Sequence, residues 1–475
     1  MYIAQKGLKV DGHKFISQAI EKGAKAIICE LIPKELGKNV VYVLVKNTAK
    51  TLGIIASNFY DNPSEKIKLV GITGTNGKTT TSRMVDALLF EMGLRTGRFT
   101  SPHLESFLER ISINKEPISA AGMVATYNDV ALYLDLVDSR SEHSVSFFEA
   151  ITALAFVAFA EFPVDVGIFE VGMGGEWDAT KVINAAVNVI TPIGFDHMQY
   201  LGNTLVEIAA TKSGIIKPHS VAILAHQDVE VAKVLMQKCV EVEALPMREG
   251  IEFSLLRRDL AVGGQMLTIQ GITATYEDIF LPLYGAHQSE NATVALAAVE
   301  AFAGSKQLDP DMVRAAFMHV DSPGRCEVVY RNPTVILDAA HNPHGATALT
   351  QTISNEFDFS TIIAVVAPMG DKDVVGILEA LEPIADRIVL SSNSSPRAMP
   401  VGELERLAKQ IFGHDRVSVI PTLSDAIRKS MEQAKLDNDI NDGNCAVLIT
   451  GSVVTAGEGR TIVKNMHYML TQEMK

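Results

Sequence analysis

Nine consecutive residues, Gly71-Ile-Thr-Gly-Thr-Asn-Gly-Lys-Thr79, carry the sharpest chemical signal in this chain. Glycine lets a backbone approach phosphate oxygens closely, so Gly74, Thr75, Asn76 and Gly77 can point several N–H groups at them. Lys78 can reach terminal phosphates, and the Thr79 hydroxyl can ligate Mg²⁺. Five residues, not the usual four, separate Gly71 from Gly77. The flanks answer the alternative of an accidental glycine-rich turn. Ile67, Leu69, Val70 and Ile72 predict a strand entering the loop. Met84, Val85, Leu88, Leu89 and Met92 recur at helical spacing after it, with Gly93 placed to stop the helix. Strand, loop and helix together predict ATP binding.

Two further apolar runs end in polar residues. Val164–Phe169 ends at Glu170, and Val187–Ile193 runs toward Asp196 and His197. In open parallel sheets ligands bind beyond the carboxyl ends of strands, so Glu170 is a candidate magnesium ligand. The glycines from Gly172 to Gly175 suit a mobile loop closing over substrate. Read alone, His197 is an ordinary core histidine, Lys212 a surface lysine on a helix, and Arg325 a surface ion-pair partner. Near the other end of the chain, Val335–Leu337 leads to Asp338, His341 and Asn342.

These residues need elements to hold them. Up to about residue 65, Ala26–Cys29 and Val40–Val45 read as strands. Phe15, Ala19 and Ile20 mark one helix there, Leu52, Ile55 and Phe59 another, and residues 61–65 have linker chemistry. A middle region spans 66–322. From 323 to 475 strands at 335–337, 362–366, 388–390, 417–420 and 446–449 alternate with helical patterns, the signature of a doubly wound domain. The most apolar stretch, Phe147–Phe162, is interrupted by Glu149, Thr152 and Glu161 and falls short of the roughly 18 residues of a membrane span. It reads as a buried helix.

Bulk properties narrow the partners. A net charge of −14 argues against nucleic acid and anionic membranes, and requires anionic substrates to meet local basic groups or a metal. Cys29, Cys239, Cys326 and Cys445 have no metal-site spacing and read as free thiols of a cytoplasmic protein.

From Gly74 onward the chain resembles the dihydrofolate synthase/folylpolyglutamate synthase branch of the Mur ligase superfamily. The resemblance rests on Thr100-Ser-Pro-His-Leu104, Glu109-Arg-Ile111, Glu170-Val-Gly-Met-Gly-Gly175 with Trp177-Asp-Ala-Thr180, and Asp196-His197. It continues through Lys212-Ser-Gly-Ile215, His287-Gln288 with Asn291, Pro323-Gly-Arg325 and Asp338-Ala-Ala-His-Asn-Pro343. The first 80 or so residues, on Met1–His13 with Gln18-Ala19 and Gly23-Ala24, instead resemble the UDP-binding front domain of UDP-N-acetylmuramoyl-tripeptide synthetases, in a shortened form. The fold implied is α/β and Mur-ligase-like. It comprises a small truncated α/β N-terminal unit, a P-loop ATPase central domain and a C-terminal Rossmann-like domain.

The resemblance implies further roles. Thr79 and Glu170 would hold one Mg²⁺, and Ser101, Glu170 and His197 a second. Lys212 would be carbamylated and help ligate the second metal. Asn291 would contact adenine, while Arg325, Asp338 and His341 would complete the ATP site. Gly174, Gly175 and Asp178 would form the substrate loop. Glu176 stands where many relatives carry Arg, and Lys181 where many carry Asn. Lys78, Lys212 and His197 are the catalytic candidates. The activity implied is ATP-dependent addition of L-glutamate to dihydropteroate or a folate by a monomer. Two rivals remain open, a UDP-muramyl-peptide ligase and a non-catalytic ATP-binding hybrid.

Overall fold

The computed structural model describes residues 1–4, 11–46, 48, 51, 67–139, 143–441 and 444–473. The helix expected around Leu52, Ile55 and Phe59 and the linker at 61–65 lie outside the described residues. The chain falls into two compact units, one formed by residues 1–68 with 119–165, the other by 69–118 with 166–475.

In the first unit, β1 (Tyr2–Ile3), β2 (Ala26–Cys29) and β3 (Val41–Leu44) form a parallel sheet in that order. Ala4, Ile16, Ile27 and Cys29 make its small core. The unit also contains helices Ala120–Asp138 and Phe147–Glu161. Ser146 and Glu149 form a capping box that starts the second helix. The helix is buried along one face only: Ile151, Leu154, Ala155, Ala158 and Phe159 are covered, whereas Phe147 is 60% exposed. Glu149 and Glu161, which interrupt its apolar run, are both solvent-facing.

The second unit contains an eight-stranded sheet ordered β11-β10-β9-β4-β8-β5-β6-β7. Its strands are β4 (Lys68–Thr73), β5 (Thr96–Phe99), β6 (Ile111–Ile113), β7 (Glu116–Pro117), β8 (Val166–Glu170), β9 (Val187–Ile190), β10 (Val221–Leu224) and β11 (Leu245–Arg248). β4, β5, β8 and β9 lie side by side in the middle of the sheet, so their carboxyl-end loops converge. Behind them Val70, Ile72, Val85, Leu88, Ile168 and Val189 pack against the apolar helix Ala286–Phe302.

β12 (Ser254–Ala261), β13 (Gly264–Gln270) and β14 (Thr275–Leu281) form an antiparallel sheet of their own. The last sheet is ordered β15-β16-β20-β17-β18-β19. It comprises β15 (Glu327–Arg331), β16 (Thr334–Leu337), β17 (Thr361–Val366), β18 (Arg387–Ser392), β19 (Val417–Thr422) and β20 (Cys445–Thr450). All pairs are parallel except β15–β16. Alternate residues feed two cores: Ile336, Ala364, Ile388 and Leu448 on one face, Val335, Ile363, Val389 and Val447 on the other. This is the doubly wound pattern read from the sequence, and the alternation follows from the period of two along a strand.

Candidate active site

The phosphate loop joins β4 to helix Lys78–Glu91. Its backbone bends sharply at Gly74 (φ 149°) and Gly77 (φ 86°). A methyl group at Gly74 would sit 1.9 Å from the Thr191 hydroxyl, and one at Gly77 would sit 2.4 Å from Asn291 Oδ1. Only glycine fits either place. The loop is also tied to the end of β9, because Thr75 N donates to Pro192 O and the Thr191 hydroxyl donates to Asn76 O at 2.7 Å. No side chain caps the helix that follows. Its first N–H groups are therefore left to an incoming anion, with the helix dipole behind them.

Lys78 curls back over the loop, its Nζ donating to the carbonyls of Gly74 and Thr75 at 3.1 and 3.2 Å. Burial lowers its pKa, opposed by the charges of Glu170 and Asp196. The Thr79 hydroxyl donates to Glu170 Oε1 at 2.9 Å. Glu170 is 1% exposed, and its other oxygen, Oε2, is buried without a hydrogen-bond partner. Burial raises its pKa, and Lys78, Thr79, Arg325 and the Ser101 backbone work against that rise. A buried carboxylate oxygen with no donor is costly unless a cation meets it. A hydroxyl and a carboxylate are the hard ligands Mg²⁺ prefers, with water filling the remaining positions. The residues fit that ion. Among the described residues no cluster of three His, Cys, Asp or Glu side chains could hold a metal.

Ser101 follows β5 at the point where Phe99 pairs with Phe169, next to Glu170. The structure thus brings Thr79, Ser101 and Glu170 together. His197 turns elsewhere: its Nε2 lies 3.7 Å from Asp196 Oδ2, and among the described residues it makes no hydrogen bond or ion pair with Glu170 or Ser101. Its backbone is left-handed, at φ 51°. Burial lowers its pKa, partly offset by Asp196. Lys212 is no surface lysine. It is 4% exposed, its Nζ donates to Gly74 O at 2.7 Å, and burial reinforced by the Lys78 charge lowers its pKa to about 7.

In this structure the glycine-rich run is packed against its neighbours. Gly174 O accepts the Thr73 hydroxyl at 2.6 Å, and Glu176 N donates to Thr211 O. A methyl at Gly175 would lie 2.8 Å from Lys212 O. These glycines let the loop press onto the helix that carries Lys212. Asp178 accepts from Met173 N, Thr180 N and the Thr180 hydroxyl, so both of its oxygens build the turn. Glu176 and Lys181 pair with each other.

From the C-terminal sheet, Asp338 caps its own loop by accepting from Cys326 N at 2.8 Å and Ala340 N at 2.7 Å. Burial raises its pKa against the pull of Arg325. Among the described residues the Arg325 guanidinium makes no hydrogen bond or ion pair, although its charge acts on both Glu170 and Asp338. Among the described residues the surface ion pair considered for it is absent. His341 Nε2 lies 3.7 Å from Asp196. Asn291 is buried under the loop, its Nδ2 bonded to Gln288 Oε1 at 3.0 Å and its Oδ1 facing the Thr81 hydroxyl.

One site residue escaped the sequence reading. Lys372 Nζ lies 2.9 Å from Asp196 Oδ1, with Asn342 Nδ2 at 3.5 Å from the other oxygen. Burial opposes ionisation of Asp196, but His341, Lys372 and His197 hold its carboxyl well below the usual range. Lys372 sits just past β17, so the strand-end rule applied to Asp338 pointed there as well.

Comparison with known proteins bears on this arrangement. Residues 72–299 match the Mur ligase middle domain, 324–453 the Mur ligase glutamate ligase domain, and 1–60 the Mur ligase family catalytic domain. The dihydrofolate synthase/folylpolyglutamate synthase of Mycobacterium tuberculosis is 49% identical over 423 residues, covering 84% of this chain and 87% of its own. This chain belongs to that family.

The Bacillus subtilis member is 34% identical, covering 85% of this chain and 92% of its own. The structure of M. tuberculosis folylpolyglutamate synthase complexed with ADP superposes with a TM-score of 0.83, covering 87% of this chain and 94% of that one. A folylpolyglutamate synthase family member from E. coli, complexed with DHPP and ADP, superposes at 0.74 with 26% identity, covering 86% and 92%. The α/β, Mur-ligase-like fold is thereby established, and so is the enzyme class, an ATP-dependent ligase of the Mur ligase family.

Proposed function

We propose that this enzyme uses ATP to join L-glutamate to dihydropteroate, to folates, or to both, through an acyl phosphate. The observation that carries the reading is the buried pair of Thr79 and Glu170, with an unpartnered carboxylate oxygen, beneath an uncapped helix N-terminus. The relatives' ADP complexes support ATP as the nucleotide. We divide the chain at 65/66 and 322/323, in line with the three matched ranges.

A carboxylate is a poor electrophile, and its attack on a γ-phosphoryl group sets anion against anion. Gly74, Thr75, Asn76 and Gly77 would cradle the phosphates with backbone N–H groups. Lys78 would leave the loop carbonyls for the phosphate oxygens, and Arg325 would bring its free planar fork to the γ-position. Thr79 and Glu170 would hold one Mg²⁺, and Ser101, Glu170 and a turned His197 a second. Those ions would neutralise charge between the two anions. Asp338 and His341 shape the C-terminal side of the nucleotide site. Asn291 keeps one N–H for adenine while it buttresses Gly77. The acceptor carboxylate would take the γ-phosphoryl group and release ADP, and the glutamate amine would then attack the acyl carbon, giving up a proton and expelling phosphate to leave the amide.

Carbamylation of Lys212 needs a neutral amine, and a pKa near 7 provides one at neutral pH. The amine adds to CO₂, a proton is released, and a cation becomes a carboxylate. The four free, buried cysteines suit the reducing cytoplasm. No described helix is long and apolar enough to cross a membrane.

The test is ADP release with dihydropteroate, tetrahydrofolate and UDP-muramyl-dipeptide offered in parallel, each with L-glutamate. Release with a pteroate or folate supports the reading, and release with the UDP substrate alone overturns it. Lys78→Ala should lower turnover by about 100- to 1,000-fold with an unchanged melting temperature. Near-normal turnover would remove the loop from the mechanism.

A further inference from the structure

Three segments far apart in sequence meet beside the candidate active site. Residues 101–106 leave β5 carrying Ser101. Residues 322–327 carry Arg325 into β15. Helix Val453–Glu473 follows β20. Leu104 is wedged among them: a methyl at Gly457 would lie 2.0 Å from Leu104 O, and one at Gly324 would lie 3.0 Å from Leu104 Cδ1. The first segment is stiff, because the backbone N–H groups of Leu104, Glu105 and Ser106 all donate to the Glu109 carboxylate. In the second, Glu327 Oε2 accepts Gly324 N at 2.8 Å, which fixes the turn just before Arg325.

One side chain spans both. Arg460 Nε donates to both oxygens of Glu327 at 3.0 Å, while its Nη1 pairs with Glu105. Thr461 donates to Glu105 Oε1 at 3.1 Å, and Lys464 Nζ stands 3.7 Å from Oε2, the oxygen that meets Arg460. The Arg460 side chain is only 17% exposed. A forked cation held between two carboxylates in a shared, largely buried network is geometrically far more demanding than an isolated surface pair.

We propose that Arg460 is a positioning residue for the ligase reaction, setting the Ser101 hydroxyl and the Arg325 guanidinium at one fixed separation through Glu105 and Glu327. The inference rests on the metal role of Ser101 and the phosphate role of Arg325 proposed above. Misplacement of either group by about 1 Å can cost up to 100-fold in rate without unfolding the protein.

The experiment compares Arg460→Met, Arg460→Lys and Glu105→Gln with Ser101→Ala and Arg325→Ala in the full chain. The measurements are kcat, KM for ATP, and ADP affinity by calorimetry in Mg²⁺ and in EDTA. Ser101→Ala should shrink the gain in ADP affinity that Mg²⁺ confers, and Arg325→Ala should lower kcat. If neither does, the underlying site reading fails and the inference with it. Given those effects, Arg460→Met should reproduce both, with kcat down about 10- to 100-fold and KM for ATP less affected. Arg460→Lys should recover only part, because an ammonium cannot span two carboxylates as a guanidinium does. Glu105→Gln should reproduce the Mg²⁺ effect and add little to Arg460→Met. If Arg460→Met is unfolded, Glu105→Gln alone decides. A folded Arg460→Met or Glu105→Gln with wild-type kcat and wild-type Mg²⁺-linked ADP affinity overturns the proposal.

Discussion

Where the phosphate loop meets its neighbours in the central sheet, most contacts are made by its own backbone: Thr75 N, Asn76 O and Gly74 O are all bonded, and Gly74 and Gly77 pack against Thr191 and Asn291. Where the C-terminal sheet reaches the same site, they are made by side chains. Asp196 meets Lys372, His341 and Asn342 at 2.9, 3.7 and 3.5 Å, and Asn76 meets His344 at 2.5 Å. Gly74, Gly77 and Gly175 by contrast leave no room for one added carbon. The difference separates two jobs. A phosphate cradle must present N–H groups at fixed positions, and close packing fixes them. Groups that join a reaction from another sheet can be held by polar contacts, which break and re-form at low cost.

The largest effect should follow from forcing a side chain into the first kind of contact. Gly74→Ala places a methyl on Thr191 and demands a φ of 149° that alanine rarely adopts. We expect a loss of about 2–5 kcal/mol in stability and no detectable ligation. Chemical denaturation and ADP calorimetry check this. A Gly74→Ala variant that melts and binds ADP normally would show that the loop is looser than its packing implies.

Much of this contrast was legible in the sequence, for identifiable reasons. The phosphate loop could be read because glycine, lysine and threonine at fixed spacing leave few alternatives between a strand and a helix. The doubly wound sheet could be read because β16 to β20 are short apolar runs separated by helical periods. The antiparallel sheet from Ser254 to Leu281 went unread: β12, with Arg257, Arg258 and Asp259, is half solvent-facing and carries no long apolar run. What the glycines at 172–175 do was only partly legible, because a glycine that permits close packing looks the same in sequence as one that permits motion. Lys212 and Lys372 illustrate the remaining gap. What distinguishes a lysine is what surrounds it, and the neighbours here come from residue 74 in one case and residue 196 in the other.

An intermediate effect is expected at Lys212, a buried amine in the tightly packed half. In the unmodified, CO₂-free protein its folded pKa of about 7 lies below the ordinary lysine value, so folding disfavours its charged form. The resulting penalty is complete below pH 7 and fades as the pH rises toward the unfolded value of about 10.4. Lys212→Met should therefore be more stable than the parent by about 1–3 kcal/mol at pH 6. The loss of the bond to Gly74 O offsets part of the gain. The difference should shrink by pH 9 while ligase activity stays low throughout. Urea denaturation at the two pH values measures it. A stability difference that grows with pH would reverse the assignment of Lys212 as an amine strained by burial.

The smallest effect belongs to an exposed ion pair on the glycine-rich loop. Glu176 and Lys181 are 37% and 42% exposed, so water screens their attraction, and exposed pairs are typically worth about 0.2–1 kcal/mol. Lys181 also lies 5.6 Å above the ring of Trp177, which is 84% exposed and is the only tryptophan in the chain. Its fluorescence therefore reports on the pair directly. A double-mutant cycle of Glu176→Gln and Lys181→Met should give a coupling below about 1 kcal/mol, with the emission change disappearing in molar salt as the charges are screened. Because the loop is held by Gly174, Glu176 N and Asp178 rather than by this pair, Glu176→Arg combined with Lys181→Asn should fold normally. We expect its KM for the pteroate or folate substrate to stay within about threefold of the parent, since the exchanged charges face water. A tenfold change in that KM would place the pair against the substrate and make it a determinant of which substrate the enzyme accepts.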